Sequence, residues 1–190
     1  MDTHLKKGLR LEYITVAWNI FECIIVLIAA VTSGSIALLG FGIDSLIEIF
    51  AGFVAIWHLR GIHERGERRA LKLIGLAFLG VAIYIFGEAI FSLISNAHAR
   101  PSPLGIVSLF ATVIAMSVLS FQKLKVGKAM KNNVLIAEAK VTRVDGMLAA
   151  ATLIGVLLNS IFGLWWADTV AGFIIVIYGF KEGIHALRQI

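Results

Sequence analysis

The chain has 190 residues, 59% of them hydrophobic and 15% charged, with 17 Lys+Arg against 12 Asp+Glu and one cysteine. Its mean hydropathy is +0.90, whereas a soluble domain carries about 25% charged residues, so a soluble domain with a large core is excluded in favour of a polytopic membrane protein. The lone Cys23 makes no intrachain disulfide or thiolate cluster, no nucleotide-binding motif or nucleophile constellation is found, and neither an enzyme nor a nucleic-acid binder is expected.

Six apolar segments are long enough to span a bilayer, near 12–32, 36–59, 71–95, 104–122, 139–161 and 167–187. The start of the first resembles a signal peptide, but Asn19 and Glu22 interrupt it and no A-x-A site follows, so it reads as a retained span. Lys6, Lys7 and Arg10 precede it; Arg60, Arg65, Arg68, Arg69 and Lys72 join spans two and three; Lys123, Lys125, Lys128 and Lys131 join four and five; Lys181 and Arg188 close the chain. Of the opposite loops only "NAHARPSP" holds a basic residue, Arg100. The positive-inside rule then puts both termini in the cytoplasm. The expected architecture is an all-α, six-transmembrane-helix bundle forming one membrane domain over 1–190, with no soluble domain.

Ionisable groups cost free energy in a bilayer and mark pathways or partners. Six acids lie within the spans with no snorkelling route to an interface: Glu22, Asp44, Glu48, Glu88, Asp145 and Asp168. Asp44 and Glu48, in "SIALLGFGIDSLIEIF", lie one turn apart on one helical face. Like charges so close repel, so the pair holds either a proton or a cation, and competition between the two is the minimum chemistry of an exchanger. On span five, Glu138, Asp145, Thr152 and Asn159 recur every seven residues as one polar stripe. Asp145 is either functional or paired with Lys140 or Arg143. Glu22 shares a stripe with Thr15 and Asn19 and reads equally as ligand, proton relay or hydrogen-bonded acid. Glu88 has fewer polar neighbours. Asp168 opens span six, where a carboxylate favours the helix N-terminus, and its role reads as structural. The five histidines lack ligand spacing inside the bundle.

The stretches "SGSIALLGFGIDSLIE", "AEAKVTRVDGMLAAATLIG" and "WADTVAGFIIV" resemble the cation diffusion facilitator family of divalent-metal/proton antiporters across all six spans. In that family span two carries Asp or His followed four residues later by Asp, which Asp44 and Glu48 match with a Glu substitution. Span five carries His or Asp and then Asp; Asp145 matches the second position, and Val141 stands at the first, where it offers no ligand. The resemblance implies a tetrahedral site of which Asp44, Glu48 and Asp145 remain, with Glu22 or water as the fourth ligand. The family's cytoplasmic metal-sensing domain and His-rich loop have no counterpart here.

The expected function is therefore export of a divalent cation, of the Mn, Fe, Co or Zn class, in exchange for protons. The cation is cargo rather than a permanent cofactor. The setting is a bilayer, expected to be a bacterial inner membrane, and the state a homodimer. A non-transporting membrane partner with a degenerate site, or a carrier using the acids as a proton relay, are the alternatives. One tension stands: counting ~1.5 Å per residue from the outer helix ends puts Asp44 about 13 Å deep and Asp145 about 25 Å deep.

Overall fold

The computed structural model describes residues 3–60, 67–95 and 99–188. Among them the chain forms α-helices and no strand: α1 (Thr3–Ser33), α2 (Ile36–Leu59), α3 (Glu67–Ser95), α4 (Pro103–Met130), α5 (Asn133–Phe162) and α6 (Trp165–Arg188). A helix satisfies its own backbone polar groups, which a bilayer core requires. By length and composition α1, α2, α4 and α5 are able to cross a membrane. The side chains of Glu88 and His58, and of 67–75 with Arg68, Arg69 and Lys72, lie outside the description, as do residues 61–66 and 96–98 with His63, Arg65 and His98.

The helix ends follow local chemistry. Ser102 caps α4 by accepting from Gly105 N–H, with Pro103 in the first turn. Asn132 caps α5 by accepting from Leu135 N–H at 3.0 Å. Gly163 ends α5 at φ 67°, the left-handed conformation that glycine adopts without a Cβ clash. The helices also run past the expected spans at the basic end. α4 continues to Met130, so Lys123, expected in a loop, lies inside a helix and is fully buried.

α1 packs on α2, α4 on α5 and α3 on α6, and α1 also meets α4. A core of Val26, Ala29, Leu38, Phe41, Leu109, Leu148 and Val156 fills the end near the α1–α2 turn. A second, of Leu11, Met116, Leu119, Val126 and Leu135, fills the opposite end of the α1/α4/α5 side. Between them lie Asn19, Glu22, Asp44, Glu48, Thr112 and Asp145, all buried. Large apolar side chains cover the outside instead, including Phe21, Val31, Val107, Phe121 and Phe162. Apolar exposure on this scale, with acids inside, is the inverse of a water-soluble surface and fits an integral membrane protein.

Close approach of α5 and α6 depends on Gly155. A Cβ there would meet Ala171 Cβ at 2.7 Å and the Ala167 carbonyl oxygen at 2.9 Å, so the helices would have to part. Gly155→Val is expected to destabilise the protein by about 1–3 kcal/mol, read as a lower unfolding temperature in detergent. An unchanged temperature would mean that this helix pair separates without penalty.

Candidate metal centre

The α2 turn that carries Asp44 and Glu48 faces α1 and α5. Asn19 Nδ2 on α1 donates to Glu48 Oε2 at 3.1 Å, and one turn on, Cys23 Sγ donates to the Gly42 carbonyl at 3.3 Å, holding α2 against α1. Asp145 comes from α5. One ligand oxygen from each of Asp44, Glu48 and Asp145 lies within 4.8 Å of the others, and all three residues are buried.

The difference in depth expected from the sequence is taken up in part. α5 overshoots the α1–α2 turn: Asn159 Nδ2 donates to Ala99 O at 2.8 Å, and the next residue, Arg100, donates its N–H to Ser33 O at the end of α1. Asn159 rather than Phe162 is therefore level with that turn, which removes roughly 4–5 Å at 1.5 Å per residue. The three acids nevertheless meet, their ligand oxygens within 4.8 Å of one another.

Glu22 is 1% exposed and within electrostatic range of Asp145, but it is not part of the three-residue cluster. The Thr112 hydroxyl is a hydrogen-bond partner of the Glu22 carboxyl, and the Glu48 and Asp145 carboxyls meet each other, while Asn19 Oδ1 has no hydrogen-bond partner among the described residues. Buried carboxyls that face mainly one another are poorly satisfied, so the cluster of Asp44, Glu48 and Asp145 is chemically a place for a positive ligand. The donor set is entirely oxygen, the type preferred by hard divalent cations; zinc sites usually include nitrogen or sulfur. Val141 is half-buried one turn from Asp145 and supplies no donor atom.

Asp145 does not pair with Lys140 or Arg143: both are exposed, and no ion pair between them and Asp145 occurs among the described residues. Asp168 has a different task. Its carboxylate accepts from Ser35 Oγ, from Ile36 N–H at 3.0 Å and from Ala37 N–H at 3.4 Å. It therefore caps the first turn of α2 across the helix interface, where the sequence led one to expect a cap on its own helix.

Residues 13–189 match the cation efflux transmembrane domain. The chain belongs to the cation efflux family. This is the family it resembles under the name cation diffusion facilitator, and its members are membrane transporters and not enzymes. The cation efflux domain here is 26% identical over 176 residues to an uncharacterized transporter of Methanocaldococcus jannaschii, covering 86% of this chain and 62% of that protein. It is also 26% identical to the magnetosome protein MamB of Paramagnetospirillum magneticum over 151 residues, 73% of this chain and 50% of MamB. MamB of Magnetospirillum gryphiswaldense gives 26% over 156 residues, 76% and 52%. The chain thus spans about half to three-fifths of the length of these curated relatives.

A buried ion pair was not foreseen. Lys123 Nζ lies 2.8 Å from Glu12 Oε2, with neither side chain exposed, and 3.9 Å from Glu138 Oε2. It also donates to Thr142 Oγ1 at 3.1 Å. A signal existed: Glu12 extends the Thr15, Asn19, Glu22 stripe by one further turn, and so belongs to the face of α1 that turns inward.

Proposed function

We propose that this chain is a secondary transporter that exports a divalent cation from the cytoplasm in exchange for protons. The observation carrying this reading is the convergence of Asp44, Glu48 and Asp145 oxygens within 4.8 Å in a buried layer, in a chain of the cation efflux family. Asp44, Glu48 and Asp145 bind the cation when ionised and release it as they take up protons from the other side. Glu22 or water completes the coordination in place of Val141. The all-oxygen set favours manganese, magnesium and similar hard ions over zinc.

All six helices span the bilayer in this reading, as one membrane domain. Both termini face the cytoplasm: the basic residues sit at the α1 and α3 starts and at the α2, α4 and α6 ends, and Arg60, at the α2 end, lies over the Tyr13 ring of α1 at 5.6 Å. Alternating access comes from helices rocking about the central acids. The membrane is a bacterial inner membrane and the working unit a homodimer.

The test is metal-driven proton flux in proteoliposomes loaded with a pH-sensitive dye, across manganese, iron, cobalt, zinc, cadmium and magnesium. Flux with one of these metals, lost in Asp44→Ala, is the expected result. Folded, inserted protein with no flux for any metal would favour the second reading, a non-transporting membrane partner, for which Val141 in place of a ligand is the supporting observation.

A further inference from the structure

The buried Lys123 sits where a pathway through the bundle would have to run. On α5, Glu138, Thr142 and Asp145 lie on one face at steps of four and three residues. Their exposure falls along that face: the Glu138 side chain is 17% exposed, Thr142 2% and Asp145 1%. This polar stripe runs from the end of the bundle holding the α1 and α5 N-termini to the acidic layer. The Lys123 ammonium lies across it, reaching from α4 to Glu12 on α1 and to Thr142 and Glu138 on α5. Three turns back along α4, level with Glu22, Trp18 Nε1 donates to Thr112 Oγ1 at 3.2 Å and joins α1 to α4.

We propose that Lys123 is a tethered cation that latches this end of the pathway, its ammonium occupying the position a transported cation must cross between Glu138 and Asp145. The inference rests on the transport reading above and adds a residue to it. The chemistry is competition for the same oxygens. A buried ammonium is stable only while paired, and it is held here by one close carboxylate, one hydroxyl and a second carboxylate at longer range. Glu12 Oε1 has no hydrogen-bond partner among the described residues, so the nest keeps a spare acceptor. A divalent cation arriving at Glu138 and Glu12 attracts these carboxylates with twice the charge of the ammonium. It displaces Lys123 Nζ, releases the α1, α4 and α5 contacts together, and opens the way to Asp145. Lys123 is thus a positioning residue: it controls access and is not a ligand of the cation.

The latch is tested without metal or transport, so its failure and failure of the transport reading are distinguishable. Thr15 lies between Glu12 and Asn19 on the inward stripe of α1 and is buried. Thr15→Cys, in a Cys23→Ser background, reports access to the path by reaction with a small membrane-impermeant cationic thiosulfonate. Lys6→Cys, at an exposed position, marks the side of the membrane on which the α1 N-terminus lies. Glu12→Gln/Lys123→Met removes the close buried pair together and leaves only the partly exposed Glu138 carboxylate charged. If the open form is a minor state of about 10% or less, the Thr15→Cys reaction rises about tenfold or more in this double variant, and only from the side of the Lys6→Cys marker. Lys123→Arg keeps the charge and is expected to keep protection. An unchanged rate in the double variant overturns the proposal. So does an equal rise from both sides, which is general loosening, or equal loss of protection in Lys123→Arg.

Discussion

Asp145→Asn is expected to abolish cation-dependent stabilisation while making the metal-free protein more stable. Asp145 is the only contribution of α5 to the three-carboxylate cluster, so neutralising it leaves two acids from a single helix and removes the contact that spans the site. A loss of at least about a hundredfold in affinity, roughly 2.7 kcal/mol, is expected. At a cation concentration of about 100 Kd the native protein gains about 2.7 kcal/mol of stability, and the variant, its affinity a hundredfold lower, gains about 0.4 kcal/mol or less. The opposite sign without metal follows from desolvation and repulsion among buried like charges: asparagine has nearly the same shape and needs no counter-charge. Unfolding temperatures in detergent, with and without manganese, give both quantities. A variant less stable than the native protein without metal, yet still stabilised by it, would show that Asp145 is a structural acid.

Asp168→Ala is expected to give the reverse pattern, a large loss of stability with cation affinity within about threefold of native. Its carboxylate receives the Ser35 hydroxyl and the Ile36 and Ala37 N–H groups in a buried position. Alanine would strand these donors at the first turn of α2, with a cost of about 2–4 kcal/mol. Asp168→Asn retains a side-chain acceptor and is expected to lose about half as much, since charge-assisted bonds are roughly twice as strong as neutral ones. A measured loss below the range for a single surface cap, about 0.5 kcal/mol, would mean that other groups fix the start of α2.

The helices were legible because hydropathy and turn signals are local. The acidic face of α2 was legible for the same reason: Asp44 and Glu48 are four residues apart, and the helix period alone aligns them. That Asp145 meets them depends on how far α5 overshoots the α1–α2 turn, a tertiary offset fixed by Asn159 and Arg100 bonding to groups distant in sequence. The misreading of Lys123 has a physical cause. Basic residues after an apolar run obey the positive-inside rule whether they lie in a loop or in the last turns of a helix, and only the facing Glu12 separates the two cases. Asp168 was read as structural, but its partner helix was not legible, because a cap donated across an interface leaves no mark in the sequence around either residue.

The Glu12–Lys123 pair spans 111 positions of the chain. At a synthesis rate of about 5–20 residues per second, Lys123 leaves the ribosome roughly 6–22 s after Glu12. Asp44 and Glu48 wait for Asp145 over a comparable interval. During biogenesis the first helices of this protein therefore carry charges whose partners have not yet been made. The early helices must remain beside water or the insertion machinery until α4 and α5 arrive, so a chain truncated before α4 is an intermediate that cells have reason to degrade.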